Sequence, residues 1–253
     1  MTKKVDLEDT TFIILIRIDS IERLENIISV TSCLCKYFNT NIFVLEADRW
    51  NNGILKSLLN KKIFYQFVED KDNVLYKTKY YNQMVLSVET PFISIWDADI
   101  VIDRNNIEKA ITLMRNNTDA VYPYNGICLD VPEVIKLIYL KNKDIRFLKK
   151  HTNKMMKLHE RPLVGGAVFL NREKFIKIGL DNEIHYGWGN EDFDRYYRML
   201  SQNYVITKLS GVLFHLTHPR EINSKYRSAF QKEISLNELN KYRAYWDHFD
   251  FQT

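Results

Sequence analysis

Groups able to do chemistry are densest in Gly187-Trp188-Gly189-Asn190-Glu191-Asp192-Phe193-Asp194, where two glycines flank an indole and three carboxylates fall within four residues. Arg195-Tyr196-Tyr197-Arg198-Met199-Leu200 then reads as a helix. Glu191 and Asp192 would sit at its N-terminus, where unpaired amides and the dipole favour negative charge. Acids in that place can serve only as caps. A cap, however, needs no tryptophan between two glycines ahead of it. The run reads instead as a loop whose aromatic covers a ligand and which leads into a fixed carboxylate. That carboxylate is the candidate catalytic base. Asp194 faces elsewhere on the helix, so its replacement is expected to be mild.

Two further clusters carry donor atoms. Trp96-Asp97-Ala98-Asp99 leaves an apolar run with two carboxylates, and strand alternation would point both the same way, to share a divalent cation or to split it with a ribose. His215-Leu216-Thr217-His218 follows another apolar run. Imidazole beside carboxylate is a donor set for Mn²⁺, Mg²⁺ being less suited to nitrogen. Each histidine could equally well bond a backbone carbonyl. His218 precedes Pro219 and is biased to extended backbone, which suits a loop ligand. His151, His159, His185 and His248 have no comparable setting. Gly165-Gly166 precedes a third apolar run, where glycine permits close approach of a ligand, a bulge or a tight turn.

The elements that must position these groups alternate. Phe12–Ile16, Ile42–Leu45, Ile63–Phe67 and Pro91–Ile95 read as strands, the first being a continuous apolar run of the kind buried on both faces. Between them, Asp19 is expected to cap a helix with Glu22 three residues on, and Tyr80–Val88 reads as another helix. This order predicts an α/β fold with a mostly parallel sheet and right-handed crossovers. Ligands of such sheets bind beyond the carboxyl ends of the strands, where Arg17, Asp19, Glu46, Asp48, Asp97 and Asp99 fall. The second half is less regular. A helix capped by Asp103 runs to Arg115, and 131–160 reads as helical. Strands are expected at Ala120–Tyr122, Ala167–Leu170, Tyr204–Thr207 and Val212–Phe214. Arg172–Ile178 reads as a helix stopped by Gly179, and Ser228–Arg243 as a last one.

Composition narrows the class. With 253 residues, 45% of them hydrophobic, the chain can bury a full core, and no repeat or linker divides it. We read one domain over 1–253. The formal charge of +4 suits an anionic small substrate and falls well short of a nucleic-acid-binding signature. The 15 Tyr and 14 Phe are many, and aromatic platforms are useful for bases and sugar rings, although most will be core. Cys33, Cys35 and Cys128 form neither a disulfide framework nor a zinc pattern, the usage of a reducing compartment. No signal region or membrane-spanning run is present, so the sequence reads as soluble and cytoplasmic. Lys141, Lys143, Arg146, Lys149, Lys150, Lys154 and Lys157, opposed in that span only by Asp144, are either a solvated face or a contact for an anionic membrane.

Val164-Gly165-Gly166-Ala167-Val168-Phe169 followed by Tyr186-Gly187-Trp188-Gly189-Asn190-Glu191-Asp192 resembles the signature of GT-A glycosyltransferases. The likeness is to the lactose-synthase-type galactosyltransferases and bacterial capsule-synthesis glycosyltransferases. That group carries Asp-x-Asp, Gly-Gly, Trp-Gly-x-Glu-Asp and a metal-binding histidine, and this chain has all four in order. The resemblance implies a GT-A (Rossmann-like) fold, with about 10–124 binding the nucleotide sugar and about 125–253 the acceptor. It implies Asp99 and His218 as metal ligands, with His215 where the animal enzymes have a methionine ligand. Asp97 would face the ribose. Asp192 matches the base, Glu191 the residue holding the acceptor, and Trp188 the indole closing over donor and acceptor. Arg17, Asp19 and Lys77 fall near nucleotide contacts, and Glu46 and Gly166 are placed with them on the donor side. Asn190 stands for a glycine, which implies a stiffer loop, and Phe193 for an acid, which leaves the acceptor open.

The function implied is an inverting, metal-dependent transfer from a UDP-sugar (UDP-Gal, UDP-GalNAc or UDP-Glc) to a saccharide or lipid-linked saccharide. A helix N-terminus would keep Asp192 ionised at some loss of basicity. Three alternatives stand beside it. A retaining transferase of the polypeptide N-acetylgalactosaminyltransferase type often shows Asn where Asp192 stands. A nucleotidyltransferase would have no use for Trp188 to Asp192, and a non-catalytic nucleotide-sugar-binding module would share the fold alone.

Overall fold

The computed structural model describes residues 3–220 and 225–245. The chain opens with β1 (Val5–Ile16), α1 (Ile21–Tyr37), β2 (Phe38–Asp48), α2 (Ile54–Leu58), β3 (Phe64–Glu69), α3 (Lys77–Leu86) and β4 (Phe92–Trp96). The apolar run Phe12–Ile16 is buried along its whole length. The strand begins earlier than that run, because Val5 to Leu7 pair with Phe38 to Thr40 before the register shifts ahead of Thr11. The helix expected from Tyr80 starts at Lys77, which puts that lysine at a helix N-terminus.

The cap of α1 is Ser20, not Asp19. Ser20 has extended backbone and its hydroxyl accepts from the Arg23 amide, whereas Asp19 lies one residue outside the helix and pairs with the Arg23 guanidinium at 2.9 Å.

Next come β5 (Ile100–Val101), α4 (Arg104–Arg115), β6 (Ala120–Tyr122) and β7 (Cys128–Val131). Asp103 caps α4 as expected, accepting from the Asn105 amide. The single helical span expected over 131–160 is broken into α5 (Glu133–Asn142), α6 (Ile145–Lys150), a 3₁₀ turn (Thr152–Lys154) and β8 (Met156–Lys157). The cause is local. Lys143 takes a left-handed conformation at φ 48°, and Asp144 then caps a new helix through the Arg146 amide. The chain closes with β9 (Ala167–Asn171), α7 (Arg172–Lys177), α8 (Glu191–Ser201), β10 (Ile206–Lys208), β11 (Leu213–Leu216) and α9 (Ala229–Asn240), the last capped by Ser228.

Seven strands form one sheet in the order β10-β6-β9-β4-β1-β2-β3, and four form a second, β5-β11-β7-β8. In the large sheet β1 to β4 are parallel and β9 runs against β4 and β6. This reversal matters. The end of β4 at Trp96 meets the start of β9 at Ala167, so Gly165-Gly166 lands beside Asp97. In the small sheet His215 lies opposite Ile100, the residue after Asp99, on one side and Asp130 on the other. Among the described residues no helix is long and apolar enough to cross a membrane.

Candidate active site

A cavity of about 280 Å³ opens at the carboxyl ends of β1 and β4. Its wall includes Arg17, Lys77, Asp97, Asp99, Gly165, Gly166, Trp188, Glu191, Asp192, Phe193, His215 and His218. The fold thus brings together ten of the twelve residues read as site candidates from the sequence. Asp19 and Glu46 do not line it. Asp19 turns to Arg23. Glu46 points across to β3 and accepts from the Tyr65 hydroxyl at 2.6 Å, its carboxyl raised by burial.

The strand ends at Trp96, so alternation does not govern Asp97 and Asp99, and they diverge. Asp97 accepts from Tyr81 at 3.3 Å and lies 3.8 Å from Lys77 Nζ. Asp99 faces the histidines instead: its Oδ2 is 3.1 Å from His218 Nε2 and 3.9 Å from His215 Nε2. One oxygen and two imidazole nitrogens of this trio lie within 4.8 Å of one another. The outer nitrogens are taken up elsewhere. His215 Nδ1 is 2.7 Å from Asp130 Oδ1, and His218 Nδ1 is 2.8 Å from the Pro219 carbonyl. Such partners fix the ring and turn the Nε2 lone pair inward, the arrangement of metal-ligating histidines. Burial raises the Asp99 carboxyl, but His215 and His218 outweigh it and hold it below the usual carboxylate range. Two nitrogens and a carboxylate could hold a divalent cation, and Mn²⁺ is consistent with that set.

The opposite wall is the start of α8. Asn190 occupies the cap position at φ 71°, and the Asp192 carboxylate does not cap the helix: it accepts from Arg195 Nη1 at 2.8 Å. Arg195 is buried and is itself clamped by Asp181 through two bonds of 2.7 and 2.8 Å. Glu191 accepts from Lys77 Nζ at 3.2 Å, while its Oε2 is buried with no hydrogen-bond partner among the described residues. The adjacent carboxylates are driven apart. Burial, with the Glu191 charge added, pushes Asp192 up to about 6 against the pull of Arg195. Burial also raises Glu191, but Lys77 outweighs it and the net shift is downward. The expected depression of Asp192 by the helix N-terminus is therefore reversed, because desolvation exceeds it. Lys77, pulled down by burial, is held well above its usual range by Asp97 and Glu191.

Gly165 is glycine for a steric reason. A Cβ there would overlap Asp192 Oδ2. The Gly166 carbonyl accepts from the Asp97 amide at 2.8 Å, so the Gly-Gly step touches both ends of the site. The Trp188 loop is paired to the segment after the undescribed residues through the Gly187–Tyr226 bridge and the Trp188 amide to the Lys225 carbonyl.

Several residues in the wall or behind it escape a reading of the sequence. Arg195 could have been found, since it lies one helical turn from Asp192. Asp130, His159, Arg220 and Tyr226 carry no local signal. His159 stacks near Trp188 with centroids 6.4 Å apart, and Tyr226 meets the same indole edge-on.

Residues 146–222 match the family model described as the N-terminal domain of galactosyltransferase. No curated protein sequence matches the chain. Among solved structures, the catalytic domain of Drosophila beta1,4galactosyltransferase 7 in complex with xylobiose is 16% identical with a TM-score of 0.56, covering 90% of this chain and 79% of that one. A mutant of the same enzyme, in complex with manganese, UDP-Gal and xylobiose, is 14% identical with a TM-score of 0.57, covering 89% and 79%. The mannosyltransferase PcManGT from Pyrobaculum calidifontis, in complex with GDP-Man and Mn²⁺, is 15% identical with a TM-score of 0.55, covering 85% of this chain and 58% of that one. The fold is that of the GT-A glycosyltransferases, and residues 146–222 resemble the galactosyltransferases.

Proposed function

We propose that this chain is an inverting, metal-dependent transferase that moves a hexose or N-acetylhexosamine from a UDP-sugar to a saccharide hydroxyl in surface polysaccharide or glycan synthesis. The observation that supports it most is the pairing, across one cavity, of a clamped carboxylate at Asp192 with the Asp99, His215 and His218 trio. In this reading 1–253 is one domain, with about 10–124 taking the donor and about 125–253 the acceptor.

Asp99, His215 and His218 would hold the cation, which when bound neutralises the diphosphate and stabilises it as a leaving group. Asp97 receives the ribose, its carboxylate oriented by Tyr81 and Lys77. Glu191 is fixed by Lys77 through one oxygen and offers the other to an acceptor hydroxyl. Asp192 takes the proton of the attacking hydroxyl as its oxygen bonds to the anomeric carbon. The bond from that carbon to the diphosphate oxygen breaks, its electron pair leaves with the diphosphate, and the configuration inverts. Trp188 covers the reacting groups.

Calorimetry of UDP binding tests the metal half of this reading. Affinity should collapse in excess chelator and return best with Mn²⁺, and His215→Ala and His218→Ala should each blunt that return. Equal binding with and without chelator would remove the metal from the account. Magnetic resonance of the transfer product should show an inverted anomeric centre, and retention would exclude single displacement.

A further inference from the structure

We infer that the outer face of α5, with the basic run that follows it, is a docking surface for an anionic lipid bilayer. Helix α5 buries Ile135, Lys136 and Tyr139. Its opposite face presents Val134, Leu137 and Ile138, which are 71%, 50% and 40% exposed. These positions follow i, i+3, i+4 spacing and form one stripe, with Lys141 closing it a turn later. An apolar stripe turned to solvent has no role in this chain's own core. Met156 repeats the pattern beside Lys154 and Lys157, being 80% exposed.

Charge identifies the occupant. Of the seven Lys and Arg in 141–157, Arg146 and Lys149 are paired with Asp144 and Asp103. The other five have no acidic partner among the described residues. Exposed apolar side chains flanked by unpaired lysines are the composition that seats a helix in the headgroup layer of an anionic membrane, the lysine stems reaching along the apolar boundary. A neutral protein partner would leave those charges without a use.

The helix that carries this surface also packs against the segment leading to His218. Lys136, on the buried side of α5, donates through Nζ to the Thr217 carbonyl at 2.8 Å, and the next residue is His218. A bilayer against the outer face of α5 would lie about one helix diameter, roughly 10 Å, from that segment, within reach of an acceptor carried on a lipid. That last step rests on the transfer reading; the binding itself does not.

Sedimentation with vesicles of phosphatidylglycerol and phosphatidylcholine, against phosphatidylcholine alone, tests it on the full chain. Anionic vesicles should capture most of the protein at low salt and neutral ones little, with capture falling as salt screens the lysines. Lys150→Glu/Lys154→Glu should weaken partition by at least about fivefold for each cation removed. Leu137→Ser/Ile138→Ser changes exposed side chains only, so it should keep the fold and lose the salt-resistant part of the binding. Equal capture by the two vesicle types would overturn the inference. So would vesicle binding unchanged by both variants, or a dimer that Leu137→Ser/Ile138→Ser converts to monomer without altering capture, which would make the stripe a contact between copies of this chain.

Discussion

Two neighbouring carboxylates on one helix turn are given opposite characters by what they touch. Glu191 is neutralised by Lys77 and stays ionised, whereas burial lifts Asp192 to about 6. A base must be unprotonated to act, so transfer should rise with pH until Asp192 has lost its proton, at or somewhat below about 6, since a cation bound nearby draws a carboxylate downward. A pH–rate profile at saturating Mn²⁺ reads this limb, and Asp192→Asn should abolish it; the same limb persisting in that variant would assign it to another group. Asp194 tells the opposite story. It is wholly buried, 2.6 Å from Arg198 Nε and 3.4 Å from His185 Nε2, with its carboxyl held low despite burial. The mild effect expected of its replacement concerns transfer, and its burial implies a separate cost in stability. Asp194→Asn removes the buried carboxylate between Arg198 and His185, leaving Arg198 only the Ile178 and Leu180 carbonyls, and should cost about 3 kcal/mol, read as a fall in melting temperature with UDP affinity retained in the folded protein. A melting temperature within a degree of the parent would contradict this.

At the scale of elements, the site is where chain segments stop, not where they run. Asp97-Ala98-Asp99 lies in the turn between β4 and β5, Glu191 and Asp192 open α8, and His218 follows β11. Types and spacing made these segments legible, because Gly-Gly, Trp between glycines and Asp-x-Asp are local patterns. What was not legible comes from pairing between distant segments. Asp130 reaches His215 only because β7 and β11 are neighbours in a second sheet that no periodicity announces. The long helix expected over 131–160 failed on two residues, Lys143 and Asp144, whose turn and cap chemistry outweighs apolar spacing. Glu46 failed for its direction: the strand end was right, but the side chain turned to Tyr65. The meeting of β9 and α8 yields a sharp test. Gly165→Ala places a methyl in the space of Asp192 Oδ2. With the carboxylate displaced by about an ångström, transfer should fall on the order of 10²-fold while UDP binding holds. Parental rates in that variant would show that the Gly165–Asp192 contact does not set the position of the base.

For the molecule as a whole, the end of β4 delivers Asp97 and Asp99, and the later segments deliver Glu191, Asp192, His215 and His218 to the same cavity. A site divided in this way should be divisible by mutation. Asp192 touches no member of the Asp99, His215 and His218 trio in the contacts that hold it, which run to Arg195 and on to Asp181. Asparagine keeps the shape and can still accept from Arg195, but it cannot take the acceptor's proton. The most direct measurement is therefore Asp192→Asn, assayed for Mn²⁺-dependent UDP binding and for sugar transfer in parallel. Binding should stay within about twofold and transfer should fall roughly 10²- to 10⁴-fold, the usual worth of a general base. Unchanged transfer to a verified acceptor, or a loss of binding equal to the loss of transfer, would contradict the assignment of Asp192 as the base.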